Sequence, residues 1–261
     1  MHKKVSIIIT NYKKEAFLKR AIKSCLKQTY RNIEIIVIDD CSNKEKCIRL
    51  IRGYNRANIR FMYTTKNYGH YMCCNYAMDK ATGYYITFLG GDDRIEKEHI
   101  QSLVSSLRSK KNAVASLCLY HREDTDGNKV GKNKLCEASI LFEKNKILKN
   151  IGYFHAVRFA GDTEYRERMQ TYYGKSRIIN TNKVTYKALY LKNSLTRSEK
   201  TKGGSLARAK YVRCFQDYLK KSSLDNLYFD YKGDMPFGLN NIIKTDNFDS
   251  IFFKEFVEYN N

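Results

Sequence analysis

Residues 33–40 read IEIIVIDD, and this stretch decides the fold. Five of its first six positions are apolar, and two acids, Asp39 and Asp40, follow directly. A strand that is apolar on both faces is typical of a parallel sheet with helices packed on both sides. The stretch therefore predicts a buried strand that ends in two carboxylates.

Similar apolar strands lie on either side of this one in the chain, and each is followed by a stretch with helical spacing of apolar residues. This alternation predicts an α/β fold with a mainly parallel, Rossmann-like sheet and helices on both faces. Ligands of such sheets bind at the carboxyl ends of the strands. The other predicted strands are residues 5–10, 59–64 and 84–89, and the predicted helices are residues 17–26, 44–54, 70–82 and 97–110.

After residue 112 the pattern changes and predicts a smaller, mixed α+β half that shares one core with the first. Its predicted strands are NAVASLCLYH (112–121), ASILF (138–142) and KVTYKALYL (183–191), and EDTDGNK (123–129) contains an Asp-Gly turn. Residues 205–221 predict a basic helix. FDSIFFKEFVEY (248–259) predicts a short amphipathic terminal helix.

The composition limits the class of protein without choosing a ligand. The 261 residues contain 48 Lys and Arg against 27 Asp and Glu, a formal net charge of +21, which attracts nucleotide phosphates, anionic lipids or nucleic acid. Eight cysteines without a C-x-x-C pair predict reduced thiols and no zinc site. No apolar run approaches the ~18 residues of a membrane span, and the first residues lack a signal-peptide pattern, so we expect a cytoplasmic protein.

The segment after the first predicted strand argues against two common nucleotide sites. It reads TNYKKE (10–15) and has no glycine, whereas a dinucleotide turn needs G-x-G-x-x-G, and the chain has no G-x-x-x-x-G-K-[ST] loop. What remains is a nucleotide held by side chains and a metal. Polar residues suited to this follow three predicted strands: residues 10–12, 39–40 and 90–93.

The order of these segments resembles the nucleotide-binding half of the family 2 inverting glycosyltransferases, which have the GT-A fold. The resemblance covers about residues 4–110. It lies in VSIIITNY (5–12), IEIIVIDDCSN (33–43), N-Y-G (67–69) and ATGYYITFLGGDD (81–93).

The resemblance implies roles for individual residues. Thr10, Tyr12 and Asp40 match residues that hold the base and ribose of a sugar nucleotide, and Asn67 matches one that lies close to the nucleotide. The family's D-x-D motif, which binds Mg²⁺ or Mn²⁺ on the diphosphate, falls at the end of the strand at 84–89.

Two positions depart from the family pattern. Where relatives usually read D-S-D-D, this chain reads Gly90-Gly91-Asp92-Asp93, so Asp92 alone matches a metal-binding position. We therefore expect Mg²⁺ or Mn²⁺ to bind weakly, and we expect Asp93 to be structural. Cys74 stands where many relatives have an arginine.

The second half supplies the residues expected for catalysis. RFAGDTEYRERM (158–169) resembles the segment that bears the family's catalytic carboxylate, which implies that Asp162 is the base, with Glu164 as the nearest alternative. LYLKNSLTRS (189–198) resembles a segment over the diphosphate, which implies that Lys192 or Arg197 binds there.

Structural roles remain open for the same residues. Asp92, Asp39 and Asp162 could each be a turn or helix-capping acid, because Asp commonly caps helices. The histidines at 70, 99, 121 and 155 lack ligand spacing and are interpreted as surface or core residues.

These residues predict an inverting glycosyltransferase that moves a sugar from a UDP-type donor to a hydroxyl of a glycan or lipid-linked acceptor, in surface polysaccharide or glycoconjugate synthesis. The predicted divisions are a nucleotide-sugar-binding half (1–111), an acceptor or catalytic half (112–204) and a helical extension (205–261). The alternatives are a degenerate protein that only binds a nucleotide sugar and a basic nucleic-acid binder, although we expect no nucleic-acid partner.

A membrane contact is also predicted. The basic helix at 205–221 and the apolar tail at 248–259 could hold the protein at an anionic membrane, where lipid-linked acceptors reside. In the alternative interpretation, the tail packs on the catalytic half.

Overall fold

Four parallel strands form the centre of the molecule, in the order β4-β1-β2-β3. The structure is a computed structural model that describes residues 2–54, 58–191, 202–231 and 256–259, with the backbone alone for 202–207 and 256–259. The central strands are β1 (Val5–Asn11), β2 (Ile33–Asp39), β3 (Ile59–Thr64) and β4 (Tyr85–Gly90). The predicted parallel sheet is confirmed, and β2 ends at Asp39, as its sequence indicates.

Five further strands extend this sheet on both sides, so that the described residues form one nine-stranded sheet with the order β5-β8-β6-β7-β4-β1-β2-β3-β9. The β7 strand is antiparallel to both β4 and β6, β5 is antiparallel to β8, and β6 is parallel to β8. The added strands are β5 (Arg94–Ile95), β6 (Ala115–Glu123), β7 (Lys129–Glu143), β8 (Ile178–Leu189) and β9 (Phe256–Tyr259).

Helices cover both faces of the sheet. Residues of α1, α2 and α4 join one apolar cluster with Ile7 and Ile9, and residues of α3, α5, α6 and α7 join the other with Ile8. Each cluster includes residues from both halves of the chain, as expected for one shared core. The helices are α1 (Glu15–Leu26), α2 (Lys44–Arg52), α3 (His70–Lys80), α4 (His99–Arg108), α5 (Lys144–Asn150), α6 (Gly161–Tyr173) and α7 (Lys202–Lys221).

The second half is a mixed α+β region, as predicted. The Asp-Gly turn joins β6 to β7, and Asp124 closes it by accepting hydrogen bonds from the backbone N–H groups of Asp126 and Asn128 at 3.0 and 2.8 Å. The predicted basic helix is confirmed as α7, which begins at Lys202. The divisions at residues 111 and 204 stay predictions.

The predicted terminal helix at 248–259 is wrong over its described part. Residues Phe256–Tyr259 form β9, which pairs antiparallel with β3 from Thr64 to Phe61. The backbone groups on the outer side of β3 need hydrogen-bond partners, and a strand can supply them whereas a helix cannot. The remainder of that prediction, residues 248–255, lies outside the described residues.

Within the described part of the chain, no helix has the length and apolar composition that a membrane crossing requires.

Candidate active site

The polar segments that follow β1, β2 and β4 meet at one edge of the sheet. The backbone N–H of Asp40 donates to the carbonyl of Asn11 at 2.8 Å, and the backbone N–H of Gly91 donates to the carbonyl of Thr10 at 2.8 Å. Because these bonds continue the parallel pairing beyond the strands, the three segments are fixed side by side. The predicted carboxyl edge of the sheet is confirmed as their meeting place.

Asp40 binds the loop that connects β3 to α3. Its Oδ1 accepts a hydrogen bond from the backbone N–H of Tyr68 at 2.7 Å and lies 3.3 Å from Thr64 Oγ1, whose proton is donated to the carbonyl of Lys66 at 2.6 Å. Its Oδ2 accepts from Asn67 Nδ2 at 2.7 Å and from the backbone N–H of Gly69 at 2.8 Å. These three donors all belong to the N-Y-G segment, so Asp40 fixes that segment in this conformation.

Burial also affects the charge of Asp40. The side chain is 3% exposed, and burial raises its pKa to about 6, although the hydrogen bond from Gly69 and the charge of Arg158 lower it. The role of Asp40 in holding the ribose stays a prediction. In this structure, groups of the protein itself donate hydrogen bonds to both of its carboxylate oxygens.

Arg158 connects the second half of the chain to the N-Y-G segment. Its Nη1 donates to Asn67 Oδ1, and its Nη2 donates to the backbone carbonyl of Asn67 at 3.1 Å. Asn67 therefore lies between Asp40 on one side and an arginine four residues before Asp162 on the other. The site prediction did not include Arg158.

His70 lies among three of the predicted site residues. Its Nδ1 is 2.7 Å from Thr10 Oγ1, and its Nε2 is 3.7 Å from the sulfur of Cys74. Burial lowers the pKa of His70, while the charges of Asp162 and Asp92 raise it. Both carboxylates therefore lie within electrostatic range of one imidazole ring, which sequence spacing had suggested was a surface or core residue.

Asp162 lies in the first turn of α6 and is half-buried. Its Oδ1 accepts hydrogen bonds from the hydroxyl of Tyr71 and from the backbone N–H of Thr163, both at 3.0 Å. The N-cap residue of α6 is Ala160, so Asp162 is not the N-cap, although its bond to Thr163 satisfies one N–H group of the first turn. A Cβ at Gly161 would lie 2.8 Å from the Tyr71 ring, and glycine there allows the ring to reach the carboxylate.

The alternative base, Glu164, is buried in the interior and bonded to an arginine. It is 1% exposed, and Arg168 donates to its two oxygens at 2.7 and 3.0 Å. Arg168 also donates to the carbonyls of Ile151 and Tyr153, at 2.7 and 2.6 Å. A buried carboxylate in such a network fixes α6 and offers no open oxygen to an acceptor sugar.

The loop after β4 bears the two carboxylates at which a metal could bind, Asp92 and Asp93. Asp93 Oδ2 accepts from the hydroxyl of Tyr186 at 2.5 Å and Oδ1 from the backbone N–H of Leu189 at 2.8 Å, in agreement with its predicted structural role. Burial and the charge of Asp92 raise the pKa of Asp93 to about 7. Asp92 lies 3.7 Å from Lys14 Nζ.

These residues do not fit the two-carboxylate site that a D-x-D motif would form, because Gly90 has no side chain and Asp93 already has protein partners. Among the described residues, no group of three or more His, Cys, Asp or Glu could hold a metal ion. Asp92 alone is left as a protein ligand for weakly bound Mg²⁺ or Mn²⁺.

The remaining predicted site residues have fewer contacts with the rest of the site or lie outside the described part of the chain. Tyr12 follows β1 with 39% of its surface exposed, and Lys13 Nζ lies 5.1 Å from the centre of its ring. Lys192 and Arg197 lie outside the described residues.

Sequence reasoning missed four residues of the site: Lys14, His70, Tyr71 and Arg158. The partners of His70 and Tyr71 lie 60 and 91 positions away in the chain. The available signal was adjacency, since His70 and Tyr71 directly follow the N-Y-G segment and Lys14 lies two residues after Tyr12.

Known proteins with similar sequences point to one family. The model of "Glycosyl transferase family 2" matches residues 6–182. An uncharacterized glycosyltransferase of Haemophilus influenzae is 34% identical over 128 residues, which are 48% of this chain and 50% of that protein. The GalNAc(5)-diNAcBac-PP-undecaprenol beta-1,3-glucosyltransferase of Campylobacter jejuni is 25% identical over 192 residues, which are 72% of this chain and 62% of that protein.

Two solved structures have a similar fold. The S. aureus protein TarS (residues 1–349), crystallised with UDP-GlcNAc, superposes with a TM-score of 0.58 at 20% identity over 72% of this chain and 59% of that one. The mannosyltransferase PcManGT of Pyrobaculum calidifontis, in complex with GDP-Man and Mn²⁺, gives 0.58 at 16% identity over 73% and 57%. At these identities the likeness shows the fold, which is of GT-A type.

The chain spans about half the length of the first curated relative it matches. The family match, in contrast, extends from β1 into β8 and includes Thr10, Asp40, Asn67, Asp92 and Asp162. The chain belongs to glycosyl transferase family 2.

Proposed function

We propose that the protein is an inverting glycosyltransferase that moves a sugar from a UDP-type donor to a hydroxyl group of a glycan or lipid-linked acceptor. One observation supports this most. A single segment, residues 67–71, contacts Thr10 in β1, Asp40 at the end of β2 and Asp162 in α6. Residues that were predicted separately for nucleotide binding and for catalysis therefore meet around one short stretch of chain.

In the proposed reaction, Asp162 is the base. The acceptor oxygen attacks the anomeric carbon on the side opposite the nucleotide, and Asp162 takes the proton of that hydroxyl. The bond between the anomeric carbon and the diphosphate oxygen breaks, and its electron pair leaves with the nucleoside diphosphate. Tyr71 orients the Asp162 carboxylate by its hydrogen bond, and holding a reacting group in the productive geometry lowers the barrier of such a displacement.

The donor side is assigned to the residues at the carboxyl edge of the sheet. The exposed ring of Tyr12 offers a stacking surface for a base, and Thr10 lies next to it in the chain. Asp40 holds Asn67 at that edge. Lys192 is proposed to contact the diphosphate, and Asp92 is the residue that would hold a divalent cation.

The known relatives support the choice of substrates. TarS was crystallised with UDP-GlcNAc, which supports a UDP-type donor. The name of the C. jejuni relative describes an undecaprenol-diphosphate-linked acceptor, which supports a lipid-linked glycan. Synthesis of surface polysaccharide or glycoconjugate in the cytoplasm is the corresponding proposal, and peripheral contact with an anionic membrane is assigned to the exposed basic residues of α7.

The test is to incubate the protein with a panel of sugar nucleotides, with and without Mg²⁺ or Mn²⁺, and to measure donor hydrolysis and binding. We expect at least one UDP-sugar to bind and to be hydrolysed slowly. Binding without turnover on any acceptor would favour the alternative of a nucleotide-sugar-binding protein. Absence of both would contradict the proposal.

The variant Asp162→Asn tests the base directly. We expect transfer to be lost while donor binding is kept, because the amide cannot accept the proton but fills the same space. Asp126→Asn in the exposed β6–β7 turn makes the same chemical change away from the site and should have no effect. If Asp162→Asn lost donor binding together with transfer, Asp162 would have a structural role.

A further inference from the structure

We propose that Lys14 binds the donor diphosphate and, together with Arg20, supplies the positive charge that the family's two-carboxylate motif provides through a divalent cation. Donor binding then does not require a metal. This inference rests on the proposed function, since it concerns the same donor site. It begins from the loop at residues 90–93, where the residues do not fit a two-carboxylate cation site.

The loop is built around glycine at position 90. A Cβ at Gly90 would lie 2.8 Å from Asp93 Oδ2 and 3.2 Å from Asp92 Oδ1. Asp93 cannot move aside without losing its hydrogen bonds to Tyr186 and Leu189, which tie this loop to β8. The space that an acid at position 90 would occupy is therefore taken by the two carboxylates that follow it.

Lys14 has the position and the freedom to bind a phosphate. It is the residue directly before α1, and its Nζ lies 3.7 Å from Asp92 Oδ2. The two side chains are 31% and 28% exposed, so the ion pair faces solvent. Exposed pairs of this kind contribute roughly 0.2–1 kcal/mol, and Lys14 can therefore turn from Asp92 to a phosphate at little cost.

Arg20 brings a second positive charge to the same loop. Its Nη2 donates to the backbone carbonyl of Asp92 at 3.0 Å, which fixes the loop against α1. Its Nε is buried and has no hydrogen-bond partner. Lys14 and Arg20 together have two positive charges, the same as one divalent cation. Arg20 lies in the first half of α1, and Lys14 is the residue before this helix.

The charges lie where the proposed donor needs them. Gly91, in the same loop, bonds to the backbone of Thr10, whose side chain contacts His70 in the predicted nucleotide site. A diphosphate between a base near Tyr12 and the Asp162 carboxylate would lie beside the loop at 90–93, because the charges of Asp92 and Asp162 both act on His70. An ammonium group binds phosphate as a point charge and needs no fixed coordination geometry.

The experiment is a calorimetric titration of UDP, and of uridine as the matched nucleoside, into the protein in EDTA and in Mn²⁺. We expect the wild-type protein to bind UDP in EDTA. Lys14→Ala should weaken UDP binding in EDTA by roughly ten- to a hundredfold, the usual value of a charged hydrogen bond. The variant should leave uridine binding unchanged, since uridine has no phosphate.

Two further variants separate this from a general charge effect. Lys23→Ala removes the same charge from an exposed position of α1, roughly 13 Å further along the helix, and should bind UDP as the wild-type protein does. Asp92→Ala removes the carboxylate that pairs with Lys14 and repels phosphate. It should tighten UDP binding in EDTA, whereas at a site that depends on a metal at Asp92 this variant would weaken UDP binding in Mn²⁺.

The outcomes distinguish this inference from the proposed function. If UDP binds only in Mn²⁺, or if Lys14→Ala binds UDP in EDTA as the wild-type protein does, the assignment of Lys14 is overturned and the glycosyltransferase proposal stands. If neither UDP nor any UDP-sugar binds under either condition, the proposed function fails and the assignment of Lys14 fails with it. Circular dichroism of each variant confirms that it is folded.

Discussion

Among the residues of the site, Tyr71 makes the contact that most directly concerns catalysis, its hydrogen bond to Asp162. It lies in the second position of α3, it is 6% exposed, and its hydroxyl donates to Asp162 at 3.0 Å. Burial and the charge of Asp162 raise the pKa of its hydroxyl well above the usual value, so it remains a hydrogen-bond donor at every working pH. Tyr71 therefore acts through Asp162 as a positioning residue.

We expect Tyr71→Phe to lower kcat by roughly tenfold, because a hydrogen bond to a charged group contributes about 1.5–3 kcal/mol and part of that is retained by the bond from Thr163. The KM for the donor should stay unchanged, since no predicted donor contact involves Tyr71. Steady-state kinetics with a saturating acceptor separates the two parameters. An equal loss in donor affinity would indicate that Tyr71 shapes the nucleotide site instead.

For individual residues, the sequence identified the carboxylates of the site but not the side chains that contact them. Short motifs, recognisable by their order along the chain, contain the carboxylates Asp40, Asp92 and Asp162. Lys14 lies 78 positions from Asp92, and Tyr71 lies 91 positions from Asp162. Such contacts depend on how α1 and α3 pack on the sheet, and the local sequence gives only the adjacency of Lys14 and Tyr71 to recognised motifs.

Among the elements, α6 and α7 pack together through a buried polar group. His155 is 3% exposed, its Nδ1 lies 3.1 Å from the hydroxyl of Tyr211 on α7, and its Nε2 lies 3.7 Å from Glu164 on α6. Burial and the charge of Arg168 hold the pKa of His155 well below its usual value of 6.5. The imidazole is therefore neutral in the folded protein.

This shift predicts a loss of stability in acid. The unfolded chain takes up a proton at His155 near pH 6.5, and the folded protein does so only at lower pH. The contribution of His155 is therefore complete above pH 6.5 and is lost as the pH falls, by at most about 1.4 kcal/mol per pH unit. Thermal unfolding of the wild-type protein and of His155→Gln across this range should give a Tm difference that narrows in acid.

His2→Gln is the matched control, because His2 is exposed and its replacement should leave the pH dependence of the wild-type protein unchanged. A constant Tm difference between wild type and His155→Gln at every pH would show that His155 does not contribute through its protonation.

A helix or strand can be predicted from the sequence when its own residues determine its structure, and not when a distant part of the chain does. The central strands are apolar on both faces, and this composition alone distinguishes β1, β2 and β4 from their surroundings. In contrast, residues 256–259 (FVEY) are a short segment, apolar except for Glu258, with no period that separates helix from strand. The free edge of β3 determines the strand there, and β3 is nearly 200 positions earlier in the chain.

For the whole molecule, the net charge of +21 raises the question of where anionic partners bind. Three basic residues of α7 lie on its exposed side, which also carries Asp217, with its Oδ1 3.3 Å from Lys220 Nζ. Tyr211, Phe215 and Leu219 are buried against the core, and the exposed Lys210, Arg213 and Lys220 lie about opposite them on the helix. This arrangement suits a helix that packs on the protein and faces an anionic surface with its charges.

The sequence predicted this membrane contact through both α7 and the apolar tail. Because Phe256–Tyr259 pair with β3, that part of the tail belongs to the sheet, and α7 is left as the element that tests the proposal. A contact made by the charges of α7 should weaken steeply with salt.

We expect the triple variant Lys210→Gln, Arg213→Gln, Lys220→Gln to bind phosphatidylglycerol vesicles about a hundredfold more weakly than the wild-type protein, at about 1 kcal/mol for each charge. The control is Lys129→Gln, Lys132→Gln, Lys134→Gln, which removes the same charge from exposed positions of β7. Vesicle sedimentation at low salt measures both, with phosphatidylcholine vesicles as the uncharged surface. If both triple variants weaken binding equally, the contact reflects the overall charge of +21 and α7 has no special part in it.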